Sequence, residues 1–419
     1  MADVTVDEIV QEAKAFLDAN ATLKQADDAP FKWGEGDDDT SLFEEVDRAQ
    51  ELRDLEVAKA FKAKRYDAGL GWLTGPKEYG GRELTQAHER AYGSVEAKYD
   101  IPSQSYFGIG LGMVAPTILA HAQPHVQEMY LPKLWRGDIV ASQLFSEPGA
   151  GSDLASLTTK AERDGDEWVI TGQKVWTSGA HYSDIGEIIC RTDPDLPKHK
   201  GLTGFVINLR DPAVEIRPLR QMTGGTSFNE VFFSELRVAD DHRLGDVNQG
   251  WTVALTTLMN ERAAIGGGGA GTGSGIASST RLIEMVRHFG VDRDPVIRQE
   301  LAKIYIGFQV AKLNAQRAMD KIKAGQTPGP EMAGAKLSLT ANMRAVSEFV
   351  GKVVGPHLAA DSGEWGTYSW GRFLLGVPGM RVAGGTDEVL RNIISERVLG
   401  MPKEPGIDTT SPFKDIKVN

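Results

Sequence analysis

Cysteine is almost missing from this chain. Of 419 residues only Cys190 is one, so an internal disulfide is excluded. It falls in the apolar run Ile188-Ile189-Cys190, where a buried, inert thiol is expected, and such usage suits a reducing cytoplasm. Long hydrophobic runs are missing too: no stretch approaches the roughly 20 apolar residues needed to span a bilayer. Basic charge is in deficit, with 46 Lys and Arg against 58 Asp and Glu for a net charge of −12. A nucleic-acid groove requires the opposite balance, because Lys and Arg must neutralise phosphates. The opening Met1-Ala2-Asp3-Val4-Thr5-Val6-Asp7-Glu8 lacks the basic start and apolar run of a secretory signal, and its acidic residues argue against an organelle transit peptide. An acidic, soluble, unprocessed cytoplasmic enzyme is expected, with no nucleic-acid partner, membrane insertion or metal site.

What is present is a change of rhythm. A chain of this length exceeds one ordinary core and predicts two or three packed units. Residues 1–139 read as an all-helical domain. Thr5 with Glu8 and Ser41 with Glu44 each match the Ser/Thr-x-x-Glu capping box, and Val6, Ile9, Val10, Ala13, Phe16 and Leu17 repeat at helical spacing. The acidic run from Glu35 to Asp39 is expected to be a solvated loop. Residues 140–249 shift to short β-rich runs at 167–176, 185–191, 201–209, 214–219 and 230–238, with a hairpin turn at Asp164-Gly165. From 250 to 419 helical periodicity returns, around 251–288, 295–324, 331–359 and 386–399, which predicts a four-helix bundle. The fold class is α+β multidomain: a helical domain, a middle β-barrel or sandwich, and a helical bundle.

Two segments carry chemistry. Ser146-Glu147-Pro148-Gly149-Ala150-Gly151-Ser152-Asp153 packs glycines, hydroxyls and carboxylates into a turn with exposed amides, and Gly172-Gln173-Lys174-Val175-Trp176-Thr177-Ser178 sets an indole beside two hydroxyls at a strand end. They stand among Ala68-Gly69-Leu70-Gly71-Trp72, Pro76-Lys77-Glu78-Tyr79-Gly80-Gly81, Gln127 to Gly137, Asn260-Glu261-Arg262 and Gly384-Gly385-Thr386-Asp387-Glu388-Val389-Leu390-Arg391-Asn392. In this order over nearly the whole chain, they resemble the acyl-CoA dehydrogenase family. The resemblance implies FAD, an acyl-CoA substrate, an electron-transfer flavoprotein as acceptor, and a homodimer or homotetramer. It implies that Phe145, Ser146, Gly151 and Ser152 line the flavin ring and the thioester approach. Trp176, Thr177 and Ser178 would supply a plate and a hydroxyl near flavin N5, and Thr386 and Glu388, with Gly385, would touch the cofactor. A core tryptophan and plain capping of a helix by Thr386 explain some of the same residues. Two departures stand out. Gln143-Leu144-Phe145-Ser146-Glu147 moves the aromatic of the family's aromatic-x-x-Thr-Glu, and Arg287 and Gln299, which by resemblance would reach a neighbouring subunit's FAD, are spaced differently from the family pattern.

Desaturating an acyl-CoA requires a carboxylate to remove the α-proton. Many relatives place that Glu just before Gly-Thr near the C-terminus, where this chain has Gly384. Another branch, including isovaleryl- and long-chain-type relatives, places it on the first long helix of the C-terminal domain, before an Arg. Glu261-Arg262 matches that arrangement, which implies Glu261 as base, with Asp387 and Glu388 as runners-up, and Ser152, Asn260, Arg262 and Gly384 around the substrate. On a helical wheel Trp251, Ala254, Leu255, Leu258, Met259 and Ile265 form an apolar arc, with Arg262 near its middle and Glu261 at its margin. Partial burial there would raise the carboxyl toward a base's working range; equally, Arg262 could serve a buried carboxylate and Glu261 be solvated. Seven glycines lie between Gly266 and Gly275. They either widen a pocket for a bulky or branched acyl group or permit close packing or a helix break. Two rival functions remain: an oxidase or monooxygenase on the same scaffold, and an FAD-holding subunit of a heteromeric dehydrogenase.

Overall fold

Helix α1 (Val6–Asn20) opens where the Thr5-Glu8 pattern places it. In this computed structural model, which describes residues 4–24, 31–42, 47–267, 275–323, 329–403 and 408–416, the Glu8 amide donates to the Thr5 hydroxyl at 3.2 Å and the Thr5 amide donates to the Glu8 carboxylate at 2.7 Å. Two amides left open by a helix start are thereby satisfied, and the stripe Ile9, Ala13 and Leu17 is buried. Near the second expected capping box, Asp39 accepts from the amide and hydroxyl of Ser41 at 2.9 and 2.7 Å in a local turn. Helix α2 (Arg48–Asp67) instead starts under Asp47, whose carboxylate accepts from the Ala49 and Gln50 amides. Glu44 lies outside the described residues. Nor is the acidic loop merely solvated: the Gly366 amide donates to Asp38 at 2.9 Å and Arg281 to its carbonyl at 2.9 Å. Helices α3 (Gln86–Glu96), α4 (Ala115–His121) and α5 (Pro124–Arg136) follow, with a short pair β1 (Thr22–Leu23) and β2 (Tyr99–Asp100).

The β region comprises β3 (Ala141–Leu144), β4 (Lys160–Asp164), β5 (Glu167–Ser178), β6 (Ile185–Arg191), β7 (Leu202–Asn208), β8 (Val214–Leu219), β9 (Phe228–Ala239) and β10 (Arg243–Leu244). Their order is β10-β7-β6-β4-β5-β9-β8, with β3 parallel to β6. The hairpin turn is Gly165-Asp166, between the paired Asp164 and Glu167, with Gly165 at φ +64°. All seven residues of β6 are buried because its two faces enter two cores. Ile185 and Ile189 pack with Val114, Ile118, Val253 and Ala254, while Ile188 and Cys190 pack with Trp168, Phe205 and Phe233. Cys190 is fully buried, and burial pushes its thiol up to about 12, so it is inert as expected.

The C-terminal region holds α6 (Gly250–Gly267), α7 (Ser279–His288), α8 (Pro295–Lys323), α9 (Ala333–Val354), α10 (Trp370–Val382) and α11 (Asp387–Arg397). Leu282, Met285, Phe308, Phe349, Val350, Trp370 and Phe373 form its core. The expected helix 251–288 is not continuous: α6 is described to Gly267, and α7 begins afresh under Ser278, whose hydroxyl accepts from the Arg281 amide. Gly275, at φ +73°, belongs to no α-helix, and Gly268, Gly269, Gly271 and Gly273 lie outside the described residues. The stretch 331–359 narrows to α9, because Gly355 at φ +55° ends it. Helix α10 was not expected, since its apolar and glycine-rich sequence lacks a clean 3.6-residue alternation. The apolar arc expected on α6 is also rotated. Val253, Ala254 and Thr257 are buried, whereas Leu255 and Met259 are 39% and 65% exposed. No helix among the described residues is long and apolar enough to cross a membrane.

Candidate functional site

The two polar segments meet through the backbone. Ser146 accepts a hydrogen bond from the Val175 amide at 2.9 Å, and the Lys174 ammonium donates to the Phe145 carbonyl at 3.0 Å and to Glu147 at 2.9 Å. Lys174 is fully buried and Glu147 nearly so. Burial alone would push the Glu147 carboxyl up, but the Lys174 charge and hydrogen bonds from Thr159 and Thr158 hold it down at about 2. This ion pair is a latch: it fixes the start of the 146–153 turn onto β5. Glu147 and Ala150 exchange backbone hydrogen bonds of 3.0 and 3.1 Å, closing the turn, and added side chains at Gly149 and Gly151 would meet nothing within 4 Å. Farther on, Asp153 accepts from Lys198 at 2.7 and 2.8 Å and from Ser156 at 2.6 Å. Lys174, Glu147 and Lys198 were not singled out from sequence.

Strand β5 breaks register where the turn docks. Lys174 pairs with Val231 and Thr177 with Asn229, so the stretch holds one extra residue on β5, a bulge that re-aims a side chain. Trp176 occupies it at φ +61° and is 56% exposed. A left-handed, non-glycine residue costs roughly 1–2 kcal/mol, and the indole, edge-on to Phe228, is only partly covered in return. Thr177, next along, is 1% exposed, and its hydroxyl is buried without a hydrogen-bond partner. Ser178 is half-buried, and its carbonyl accepts from Ser142 at 2.9 Å. Ser146 is half-buried and Gly151 and Ser152 are exposed beside this edge, whereas the Phe145 ring is 6% exposed and packs into the core between sheet and helices. Phe145 therefore offers its backbone rather than its ring.

Helix α6 of the bundle packs on β6 and β7 of the sheet. Val253, Thr257 and Glu261 follow one another at i, i+4 and i+8 on α6, so they share a face. The first two are buried and Glu261 is half-buried. Asn260 donates to the Thr256 carbonyl at 2.9 Å, and the side chain of Arg262 lies outside the described residues. Thr257 donates to Glu187 at 2.6 Å and lies 2.8 Å from Thr117. Glu187 is a fully buried carboxyl whose second oxygen has no partner, and burial pushes it up to about 8 against the Thr257 hydrogen bond. It hides from sequence reading inside a strand that is otherwise apolar as far as Arg191. Across α6, Gly384 and Gly385 adopt φ of +63° and +88° ahead of α11. Thr386 caps that helix, its hydroxyl accepting from the Val389 amide at 3.1 Å. Asp387 is buried and accepts from Thr340 and Arg381, both at 2.8 Å; Glu388 is exposed, 3.9 Å from Arg381. Arg287 is exposed and paired with Glu284 at 2.6 Å, and Gln299 is exposed on α8. Both sit on the outside of the bundle.

Three profiles of one family match in sequence: the acyl-CoA dehydrogenase N-terminal domain over residues 41–138, its middle domain over 142–236 and its C-terminal domain over 248–399. The chain belongs to the acyl-CoA dehydrogenase family. Acyl-CoA dehydrogenase IpdE1 of Mycobacterium tuberculosis is 38% identical over 355 residues, spanning 84% of this chain and 89% of that protein. The protein of the same name from Mycolicibacterium smegmatis is 35% identical over 365 residues, spanning 84% and 90%. Among solved structures, a chain of the ChsE4-ChsE5 complex from Mycobacterium tuberculosis superposes with a TM-score of 0.69 at 24% identity, covering 96% of this chain and 100% of that one. This acyl-CoA dehydrogenase is thus an oxidoreductase acting on a CH–CH bond, and its family is flavin-dependent. The residues present fit a flavin. A buried hydroxyl without a partner on Thr177, an exposed indole held in a bulge, and open space over Gly149 and Gly151 are what a planar ring with polar edges and a pyrophosphate would use.

Proposed function

We propose that this acyl-CoA dehydrogenase binds FAD and converts an acyl-CoA thioester to its trans-2-enoyl-CoA, with Glu261 as the base that removes the α-proton. One observation carries the cofactor half: two segments remote in sequence are latched together by Lys174 and Glu147 at a β-bulge, leaving the Thr177 hydroxyl buried and unpartnered. Ser146, Gly151, Ser152, Trp176, Thr177 and Ser178 would hold the ring, with Phe145 through its backbone and Gly385, Thr386 and Glu388 at the opening of α11. When bound, the flavin supplies the acceptor for the hydride leaving Cβ.

The rest falls to this chain's side chains. Glu261, on the inward face of α6, takes the proton from Cα onto a carboxylate oxygen, while Ser152, Asn260, Arg262 and Gly384 surround the thioester. Hydrogen bonds to its carbonyl would stabilise the enolate charge that develops. Gly384 leaves the turn before α11 without a carboxylate, which supports α6 as the source of the base. We keep a division at 1–139, 140–249 and 250–419, a bulky or branched acyl group favoured by Gly266 and Gly267 in the last turn of α6, an electron-transfer flavoprotein as acceptor, and a cytoplasmic setting.

A homo-oligomer is supported by α8, where Tyr305, Ile306, Val310 and Leu313 are 49–64% exposed, since such apolar patches mark interfaces. Arg287 and Gln299 on the same outer bundle would then face a neighbour's cofactor. The heteromeric reading is favoured by one fold neighbour named as a complex of two different chains; purification as a single species with activity decides between the two. The test of the whole is an acyl-CoA panel with a dye acceptor: turnover in the wild type, and loss of turnover with FAD retained in Glu261→Gln, are expected. Retained turnover would move the base elsewhere.

A further inference from the structure

Behind the bulge of β5, polar side chains that the reaction does not use converge on Thr177. Asn229, on β9 opposite Thr177, is fully buried. Its amide NH2 donates to the Thr177 carbonyl at 3.0 Å and lies 3.2 Å from His181 Nδ1, while its oxygen accepts from Arg48 at 3.2 Å. His181 Nε2 lies 2.6 Å from a Glu51 carboxylate oxygen, and the two side chains are only 10% and 20% exposed. Arg48 and Glu51 both belong to the first turn of α2 at i and i+3, so one face of that helix reaches both ends of the set. The protons have one arrangement. A guanidinium can only donate and a carbonyl can only accept, so Arg48 fixes the Asn229 oxygen on its own side and Thr177 fixes the NH2 on the other. The NH2 needs an acceptor on His181, which leaves Nδ1 without hydrogen and puts the ring proton on Nε2, where it donates to Glu51. Asn229 thus uses both its N–H groups and its oxygen. Trp176, one place before Thr177, is left-handed, and such a residue persists only where its surroundings over-determine it. This network supplies a fixed point from outside the sheet.

We propose that Glu51, His181 and Asn229 are positioning residues that act in series: Glu51 orients the His181 ring, His181 Nδ1 orients the Asn229 amide, and Asn229 holds the Thr177 carbonyl so that the Thr177 hydroxyl is aimed at the flavin. The last step rests on Thr177 being a flavin contact; the series up to its carbonyl does not. No member touches the cofactor, and each acts on it only through Thr177.

The test is a double-mutant cycle read by titrating full-length apoprotein with FAD, with the thermal midpoint of the apoprotein measured alongside. His181→Phe keeps a ring but removes both nitrogens, and Thr177→Val removes the hydroxyl. Each should weaken FAD binding about fivefold, the worth of one ordinary hydrogen bond. Because both act through one hydroxyl, the double variant should also lose about fivefold rather than the product of the two losses. His181→Asn keeps an acceptor where Nδ1 stands and should bind FAD close to the wild type, whatever its thermal midpoint. Three results would overturn the proposal: wild-type affinity in His181→Phe while Thr177→Val is weakened, a double variant weakened by the full product, or equal losses in His181→Phe and His181→Asn. The first of these, with a lowered midpoint, would mean that the network only staples α2 to the sheet. Wild-type affinity in Thr177→Val would instead refute Thr177 as a flavin contact. If His181→Phe does not fold, Asn229→Asp, of equal size but with no N–H for the Thr177 carbonyl, takes its place in the cycle.

Discussion

The sheet wall and the bundle wall of the site handle charge in opposite ways. On the sheet, Lys174 and Glu147 are buried at 2.9 Å, with Glu147 saturated by hydrogen bonds, and what remains for a ligand is a neutral hydroxyl and an indole. On the bundle, Lys336 is buried on α9 with its ammonium on the carbonyls of Ala383 and Gly385, Asp387 accepts from Thr340 and Arg381, and Glu261 on α6 is half-buried. A paired, dry latch keeps a shape but cannot exchange protons; a partly exposed carboxylate can. On the proposed reading, the difference is that the sheet would hold and the bundle would react.

Breaking the reactive wall should give the largest effect. Glu261→Gln should lower the rate of flavin reduction by about 10²–10⁴-fold, the usual worth of a positioned base, with FAD content unchanged by absorbance. Breaking the holding wall comes next. Lys174→Met strands Glu147 as an unpaired buried carboxylate and should cost about 3–5 kcal/mol in denaturant unfolding, with FAD lost on gel filtration. Thr177→Val sharpens the contrast: the apoprotein should be no less stable, because a buried hydroxyl without a partner is removed, while FAD should bind about 1 kcal/mol more weakly by titration.

The smallest effect concerns Glu187, beneath the reactive wall. Its folded carboxyl sits at about 8 and an unfolded one near 4.3, so between those values the folded chain holds a proton that the unfolded chain has released. Stability should therefore fall as pH rises from about 4.3 toward about 8, with the slope set by that proton difference. Glu187→Gln should flatten this part of a denaturation-versus-pH curve. A wild-type curve rising across that window would contradict the neutral, buried carboxyl.

Much of the holding wall was legible from sequence. The order of the two polar segments, the strands around Glu167 to Trp176 and Glu230 to Val238, and Thr386 as a cap all come from local signals: a turn, an alternation, a hydroxyl three residues before an amide. What joins them was not legible. The Val175–Ser146 bond and the Lys174–Glu147 latch depend on partners just under 30 residues apart and the bulge at Trp176 on a strand more than 50 residues away, and Lys174 looks from sequence like any strand lysine. The same limit hid Lys336, whose partners Ala383 and Gly385 are bare carbonyls, and Glu187, whose partner is on another domain's helix. The apolar arc on α6 was misplaced because Leu255 and Met259 face outward, a matter of packing rather than periodicity.

The most direct measurement is α-proton exchange, isolated from electron transfer. The oxidised enzyme is incubated in D2O with an acyl-CoA analogue that carries sulfur in place of Cβ and so has no hydride to give, and deuterium at Cα is followed by mass spectrometry. Uptake by the wild type and none above background by FAD-loaded Glu261→Gln is the predicted result; equal uptake by both would contradict Glu261 as the base.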